Sequence, residues 1–306
     1  MSAHESIFTH IRLSSIMMGI GAVLAGTACA ALRGNTEVLP ATLCIIFVIF
    51  AQLAGNFSYR YFDVSHSCGT EIDNMIAKHS TRNSSYFLRE GSIACLFLAL
   101  MCGLALIAMG GWWVIVAGAF IAVLGWLTMS GNLPLLRTPY GIICPFILFG
   151  PMCVIPTSLL QSMHEATEPL NWFDITPSLY MSIVIGLMCV NATMLYSYSN
   201  YYLDKRNSKD TFVATCGRKV TRIVFIVNCI LYTAVSVTMC LMLNLPLNGL
   251  DMVPSTLCFI LDIYIWWQMK NHAKTSAKEP GRHRQLQRPP HGSPLLPHLR
   301  THRSAR

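Results

Sequence analysis

Residues 93 to 129 read IACLFLALMCGLALIAMGGWWVIVAGAFIAVLGWLTM, and no charged residue interrupts them. At 1.5 Å per residue a single helix of that length would reach about 55 Å, well beyond the roughly 30 Å of a bilayer's hydrocarbon layer. The Gly110-Gly111 pair is the natural break, so the run reads as two helices joined by a tight hairpin. Working outward from it, eight apolar runs can be drawn: Leu13 to Leu32, Val38 to Gly55, Ile93 to Met109, Trp112 to Met129, Tyr140 to Gln161, Leu179 to Tyr196, Ile223 to Met242, and Val253 to Met269. Of the 306 residues 53% are hydrophobic and 12% charged, with a mean hydropathy of +0.48, outside the balance of soluble domains. The expected fold is all-α, a polytopic membrane protein of about eight transmembrane helices. Leu13 to Leu32 has no small-residue cleavage site after a basic segment, so it reads as a retained helix rather than a signal peptide.

Lys and Arg collect in alternate connections: Arg60, Lys78, Arg82 and Arg89 after the second run, Arg137 after the fourth, and Lys205, Arg206, Lys209, Arg218, Lys219 and Arg222 after the sixth. The intervening connections hold only Arg33, and the one from Met163 to Asp174 carries Glu165, Glu168 and Asp174 without a basic residue. The positive-inside rule then places both termini and the basic connections in the cytoplasm, and the expected location is an inner bacterial membrane. Arg89, Arg218, Lys219 and Arg222 read as topology signals.

The net charge of +8 does not point to nucleic acid, because of where it sits. Of 22 Lys/Arg and 14 Asp/Glu, nine basic residues and the single acid Glu279 lie from Lys270 onward, leaving thirteen of each sign elsewhere. The division is therefore a neutral membrane domain over 1–270 and a basic tail over 271–306. That tail is rich in Pro, His and Arg and lacks an apolar period, so it is expected to be disordered. The twelve cysteines form no Cys-x-x-Cys pair and most fall within apolar runs, which reads as small core residues.

Residues 58–63 read SYRYFD and residues 199–204 read SNYYLD, each at the end of an even-numbered run. The offset of 141 that superposes Asp63 on Asp204 also superposes Ser67 on Ser208 and Thr70 on Thr211. This suggests two pseudo-repeated four-helix halves, with a functional site at their interface. The two connections concentrate carboxylates: Asp63, Glu71 and Asp73 in the first, Asp204 and Asp210 in the second. Asn56 lies two helical turns before Asp63, and Asn200 one turn before Asp204, so each pair shares a face if the helix continues. Carboxylate and amide oxygens suit Mg²⁺, which binds through one or two carboxylates plus substrate phosphate; the expected metal set is Asn56, Asp63, Asp73, Asn200 and Asp204. Arg60, Lys78, Arg82, Arg137, Lys205 and Lys209 suit the phosphate itself. Together they describe a diphosphate pocket at a membrane surface, with Asp63, Asp204 and Arg60 as the catalytic candidates.

Paired polar connections after the second and sixth helices of such a bundle resemble the UbiA superfamily of intramembrane prenyltransferases. Three segments are most similar to its 1,4-dihydroxy-2-naphthoate polyprenyltransferase branch: AGNFSYRYFD at 54–63, LLRTPYGIICPFILFGPMCVIPT at 135–157, and NYYLDKRNSKDTFVATCGRK at 200–219. Asn56 and Asp63 match the first family motif, with Arg60 where that motif has its first Asp. Asp204, Lys209 and Thr211 match the second, with Asn200 in place of its leading Asp. Tyr196 and Ser197 replace a pair of asparagines, and Cys144-Pro145 stands where the family has Gly-Asp. The resemblance implies ionisation of an allylic diphosphate with Mg²⁺ and attack by an electron-rich aromatic ring, the naphthoate losing its carboxylate. It implies a polyprenyl diphosphate and an aromatic acceptor as partners, in a lipid bilayer. Tyr61, Tyr140 and Tyr201, with Tyr59 and Tyr202, become candidates to contact the acceptor or shield the prenyl cation. Arg60 either takes over part of the metal's task or pairs with Asp63 or Asp204 in a site without catalysis; the residues leave both open.

Two rival classes stand beside this one, a secondary transporter and a non-catalytic member of the family that binds diphosphate or a partner. A transporter's ionisable residues should lie near the bilayer midplane, whereas here they cluster in connections. Pro145, Gly150, Pro151 and Pro156 predict a kinked fifth helix, either a cavity wall or ordinary packing. Asp262, alone in an apolar run, is a functional candidate by its position.

Overall fold

The computed structural model describes residues 13–34, 36–67, 76–129, 135–162, 172–206, 209–243 and 249–278. Eight helical rods account for the eight apolar runs. They are α1 (Leu13–Ala31), α2 (Val38–Ser67), α3 (Ile76–Gly110), α4 (Trp112–Met129), a fifth rod in three pieces, α7 (Trp172–Ser199), α9 (Phe212–Met242) and α10 (Gly249–Lys278). The fifth rod consists of α5 (Ile143–Phe149), a π-helical turn (Gly150–Val154) and α6 (Ile155–Ser162), and the short α8 (Tyr201–Arg206) follows α7. No strand occurs among the described residues. Six described segments are long and apolar enough to cross a membrane, and Trp112–Thr128 is a shorter apolar helix. Leu96, Phe97, Trp112, Phe120, Trp126, Ile223, Ile260 and Trp267 are all exposed. Water would not tolerate that much outward-facing apolar surface, but lipid does. The chain is an integral, multi-pass membrane protein.

The hairpin read from Gly110-Gly111 is present: α3 ends at Gly110, α4 begins at Trp112, and Gly111 turns the chain with φ +80°. The first polar hexapeptide is not the connection expected of it. Ser58 to Asp63 belong to the late turns of α2, whose 30 residues span about 45 Å and so outreach the hydrocarbon layer. The cause is local: nothing between Asn56 and Ser67 breaks a helix, and the first glycine comes at Gly69.

Rods that follow one another in each half pack together, α1 on α2 on α3 on α4, then the fifth rod on α7 on α9 on α10. The halves meet where α1 lies against the fifth rod and α7. Ala22, Ala25, Phe149, Val154 and Cys189 form the core of that seam, while Val184, Met194, Val213, Phe225, Cys229 and Tyr232 form the core of the second half. The seam is close because its residues are small. A Cβ added at Gly26 would stand 2.6 Å from the Val154 carbonyl oxygen, and one at Gly150 would stand 2.5 Å from that of Ser182. Helix association in lipid gains little from the hydrophobic effect and depends on such backbone approach.

The proline-driven break is thus built into the seam. At its far end Arg33 donates to the Ser158 hydroxyl and Ser178 donates to the same oxygen at 2.8 Å, while Gln161 Nε2 donates to Thr27 at 3.0 Å. These bonds tie α1, α6 and α7 together. Gly26→Val is expected to destabilise the protein by about 1–3 kcal/mol through overpacking, and Gly21→Ala, where the added atom meets nothing within 4 Å, to be neutral. Thermal unfolding of both variants in detergent checks the contrast.

Candidate active site between the two halves

A half-open cleft lies on the seam, with about 580 Å³ of empty space that includes open solvent at its mouth. Its walls come from α1 (Ser14, Ser15, Met18), α2 (Gln52, Asn56), α4 (Thr128), Leu136, α5 (Cys144, Pro145, Leu148, Phe149) and α7 (Ala192, Thr193, Tyr196). Most of the accessible surface is apolar, although Ser14, Ser15, Gln52, Asn56, Thr128, Thr193 and Tyr196 bring polar side chains to the walls. Asn56 is buried and donates its amide to Ser15 Oγ at 3.2 Å, leaving its carbonyl oxygen as an acceptor. Thr193 donates to the Cys189 carbonyl at 2.9 Å.

One turn beyond Asn56 on α2, Tyr59 gathers two cations from the rest of the chain. Arg137 Cζ lies 5.9 Å and Lys209 Nζ 5.7 Å from its ring centroid. Arg137 adjoins the cleft residue Leu136, and Lys209 belongs to the second polar segment. The structure therefore brings the end of α2, the turn before α5 and the segment after α8 to one end of the bundle, as the sequence pattern grouped them. Arg60, the next residue on α2, is half-buried.

The second segment is a tied loop. Asn200 follows the last turn of α7, and its carbonyl accepts from the Asp204 N–H at 2.9 Å, so the helical register carries into α8. The Asn200 side-chain amide donates to the Tyr196 carbonyl at 3.1 Å, which makes it a cap of α7. The Asp204 carboxylate accepts from Thr211 Oγ1 at 3.1 Å, and the Asp204 carbonyl accepts from the Lys209 N–H at 2.8 Å. Thr211 is also the N-cap of α9. One threonine thereby fixes both the carboxylate and the helix start.

The remaining expected residues separate. The side chains of Asp63, Lys78 and Arg82, and the whole of Glu71 and Asp73, lie outside the described residues. Tyr140 is 69% exposed and Tyr61 packs edge-on against Phe62; neither lines the cleft. Tyr201 faces Arg218 at 4.9 Å and Lys205 at 5.0 Å, so protein cations already stand over its ring. Arg218 had read as a topology signal, yet three tyrosines surround it. Asp262 accepts from the Tyr232 hydroxyl inside the second half, away from the cleft. Among the cleft residues sequence reasoning passed over, Gln52 carried a signal: a polar side chain in an apolar run, one turn from Asn56. Ser14, Ser15 and Thr128 carried none. Cys144, Pro145 and Tyr196, three of the departures from the family pattern, all line the cleft.

The chain is similar to the 1,4-dihydroxy-2-naphthoate octaprenyltransferase of Bacillus subtilis (strain 168), 23% identical over 201 residues that make up 64% of this chain and 61% of that protein. It is also similar to the enzyme of the same name from Mycobacterium tuberculosis (strain ATCC 25618 / H37Rv), 23% identical over 209 residues, 67% of this chain and 68% of the relative. The match to the first relative thus spans less than two thirds of its length. A match to the UbiA prenyltransferase family itself runs over residues 19–286, taking in every wall of the cleft except those from the start of α1, and the chain belongs to that family.

Proposed function

We propose that the protein transfers a polyprenyl group from an isoprenyl diphosphate to an aromatic acceptor, with 1,4-dihydroxy-2-naphthoate as the acceptor, diphosphate and carbon dioxide leaving, and a demethylmenaquinol, the reduced form of a demethylmenaquinone, as the product. The observation that carries the reading is that Arg137 and Lys209 converge on Tyr59, one turn along α2 from Asn56 in the wall of a cleft shared by both halves. Arg137 and Lys209 neutralise the diphosphate, Arg60 adds a third cation beside them, and Asp63 and Asp204 complete the polar end. The prenyl chain lies in the apolar length of the cleft and along lipid. Exclusion of water by Met18, Leu148 and Phe149 protects the allylic cation from hydrolysis while the ring carbon attacks. The paired segments face the cytoplasm in this account, where a soluble aromatic substrate reaches them, in an inner bacterial membrane.

Among the described residues there is no cluster of three or more His, Cys, Asp or Glu. The available oxygens are the Asp204 carboxylate and the Asn56 carbonyl, a sparse set that suits a cation held largely by substrate phosphate and water. Mg²⁺ bound with the diphosphate would add charge neutralisation on the leaving group. In this reading Lys78, Arg82 and Lys205 also serve the phosphate, and Asp73 and Asn200 the cation.

A second reading has its own support. Arg60 and Asn200 stand where the motifs carry carboxylates, and Asn200 spends its amide on capping α7, as a diphosphate-binding family member without turnover would allow.

Purified protein given Mg²⁺, a long-chain polyprenyl diphosphate and 1,4-dihydroxy-2-naphthoate is expected to form a prenylated, decarboxylated product by mass. Asp63→Ala and Asp204→Ala should each lower that rate by ~100-fold or more with the protein still folded in membranes. Diphosphate binding without product in the wild type would favour the second reading. Arg60→Asp restores the family's residue and is expected to raise the rate or sharpen its Mg²⁺ dependence; an unchanged rate and metal titration would remove Arg60 from the site.

A further inference from the structure

Where α7, α8 and α9 meet lies a pair of arginines, Arg218 and Arg222, neither of which lines the cleft. The chain breaks out of helical geometry at Gly217, with φ +80°, and re-enters it at Arg218. That places Arg218 and Arg222 one turn apart at the start of a long apolar rod. The Arg218 guanidinium carbon stands 5.0, 4.9 and 4.6 Å from the ring centroids of Tyr198, Tyr201 and Tyr202. Tyr198 is itself fixed, buried and donating its hydroxyl to the Met269 carbonyl at 2.8 Å. The Nε atoms of both arginines are shielded from solvent without a hydrogen-bond partner, and neither arginine forms an ion pair among the described residues.

A guanidinium stacked on rings is satisfied on its faces only, since its five N–H groups point outward in the plane and seek oxygen. Lys219, next along the helix, adds exposed positive charge. The depth of the cluster identifies what could meet it. Val220 and Ile223 beside the arginines are 44% and 62% exposed, as lipid-facing residues are, and Tyr202 is 44% exposed. Apolar residues facing outward, tyrosines and cations at one level mark the boundary between acyl chains and headgroups. We propose that Arg218 and Arg222 form a binding site for a phosphate group at the membrane surface, distinct from the diphosphate end of the cleft and independent of the function assigned to it. The three tyrosine rings hold the Arg218 guanidinium in place, and Arg222 supplies the second fork. The phosphate comes from the headgroup of an anionic phospholipid or from a soluble phosphate, which offer the same oxygens.

The test uses the full chain in neutral detergent, titrated separately with phosphatidylglycerol, phosphatidylcholine and inorganic phosphate and followed by native mass spectrometry. One phosphatidylglycerol is expected to stay bound roughly tenfold more tightly than phosphatidylcholine. That preference should disappear in Arg218→Gln/Arg222→Gln and remain in Arg89→Gln. Arg222→Gln alone leaves the tyrosine stack in place, so its loss of binding at unchanged helix content separates ligand recognition from folding. Retention of inorganic phosphate, lost in the same variants, would support the site and assign it to a soluble anion. Equal retention of both lipids without phosphate binding, or wild-type binding by the double variant, would overturn it.

Discussion

The backbone contact between α1 and the broken fifth rod is the constraint from which the rest of the molecule follows. In lipid, apolar side chains gain little by leaving one hydrocarbon environment for another, so helices hold together where small residues let backbones touch. Here Gly26 brings α1 against the Val154 carbonyl, and Gly150 brings the π-helical turn against α7. The turn is irregular because Pro151 and Pro156 cannot donate to the helical ladder, and its freed carbonyls are covered by neighbouring helices rather than lipid, the condition under which such breaks persist in membranes. Two four-helix halves are joined at one narrow seam, and the cleft is the place where the seam opens.

That origin explains the chemistry of the cleft. A gap between helices in a bilayer is apolar by default, and polar groups enter only where the rods reach the water. Asn56 stands in the cleft wall, and one turn further along α2 Tyr59 meets both Arg137 and Lys209. The cleft is thus mostly apolar surface with two cations close to one of its walls. Thr211 couples the mouth to the fold, because its hydroxyl both starts α9 and holds the Asp204 carboxylate. The departures at Cys144, Pro145 and Tyr196 lie on the wall of the same cleft.

The helices were legible because hydrocarbon thickness imposes a length on apolar runs: every run from Leu13 to Met269 became a rod, and Gly110-Gly111 became a turn. The end of α2 was misjudged since polarity was taken as a sign of loop, whereas Ser58 to Asp63 contain no helix breaker and simply continue outward. Asn56, Arg137, Lys209 and Thr211 were found from pattern and resemblance. Ser14, Ser15 and Thr128 were not, because their importance comes from which helices become neighbours, a tertiary fact with no local signature. Arg218 shows the same limit: its charge could be read as orientation, but the three tyrosines around it assemble only when α7, α8 and α9 meet.

The most direct test is an experimental structure of the protein in a lipid disc with a non-hydrolysable prenyl diphosphate analogue, Mg²⁺ and 1,4-dihydroxy-2-naphthoate. The account predicts density for the diphosphate within hydrogen-bonding distance of Arg137 and Lys209, and for the aromatic ring between Asn56, Gln52 and Thr193. A diphosphate seated away from the seam, with the cleft filled by side chains or lipid alone, would contradict it.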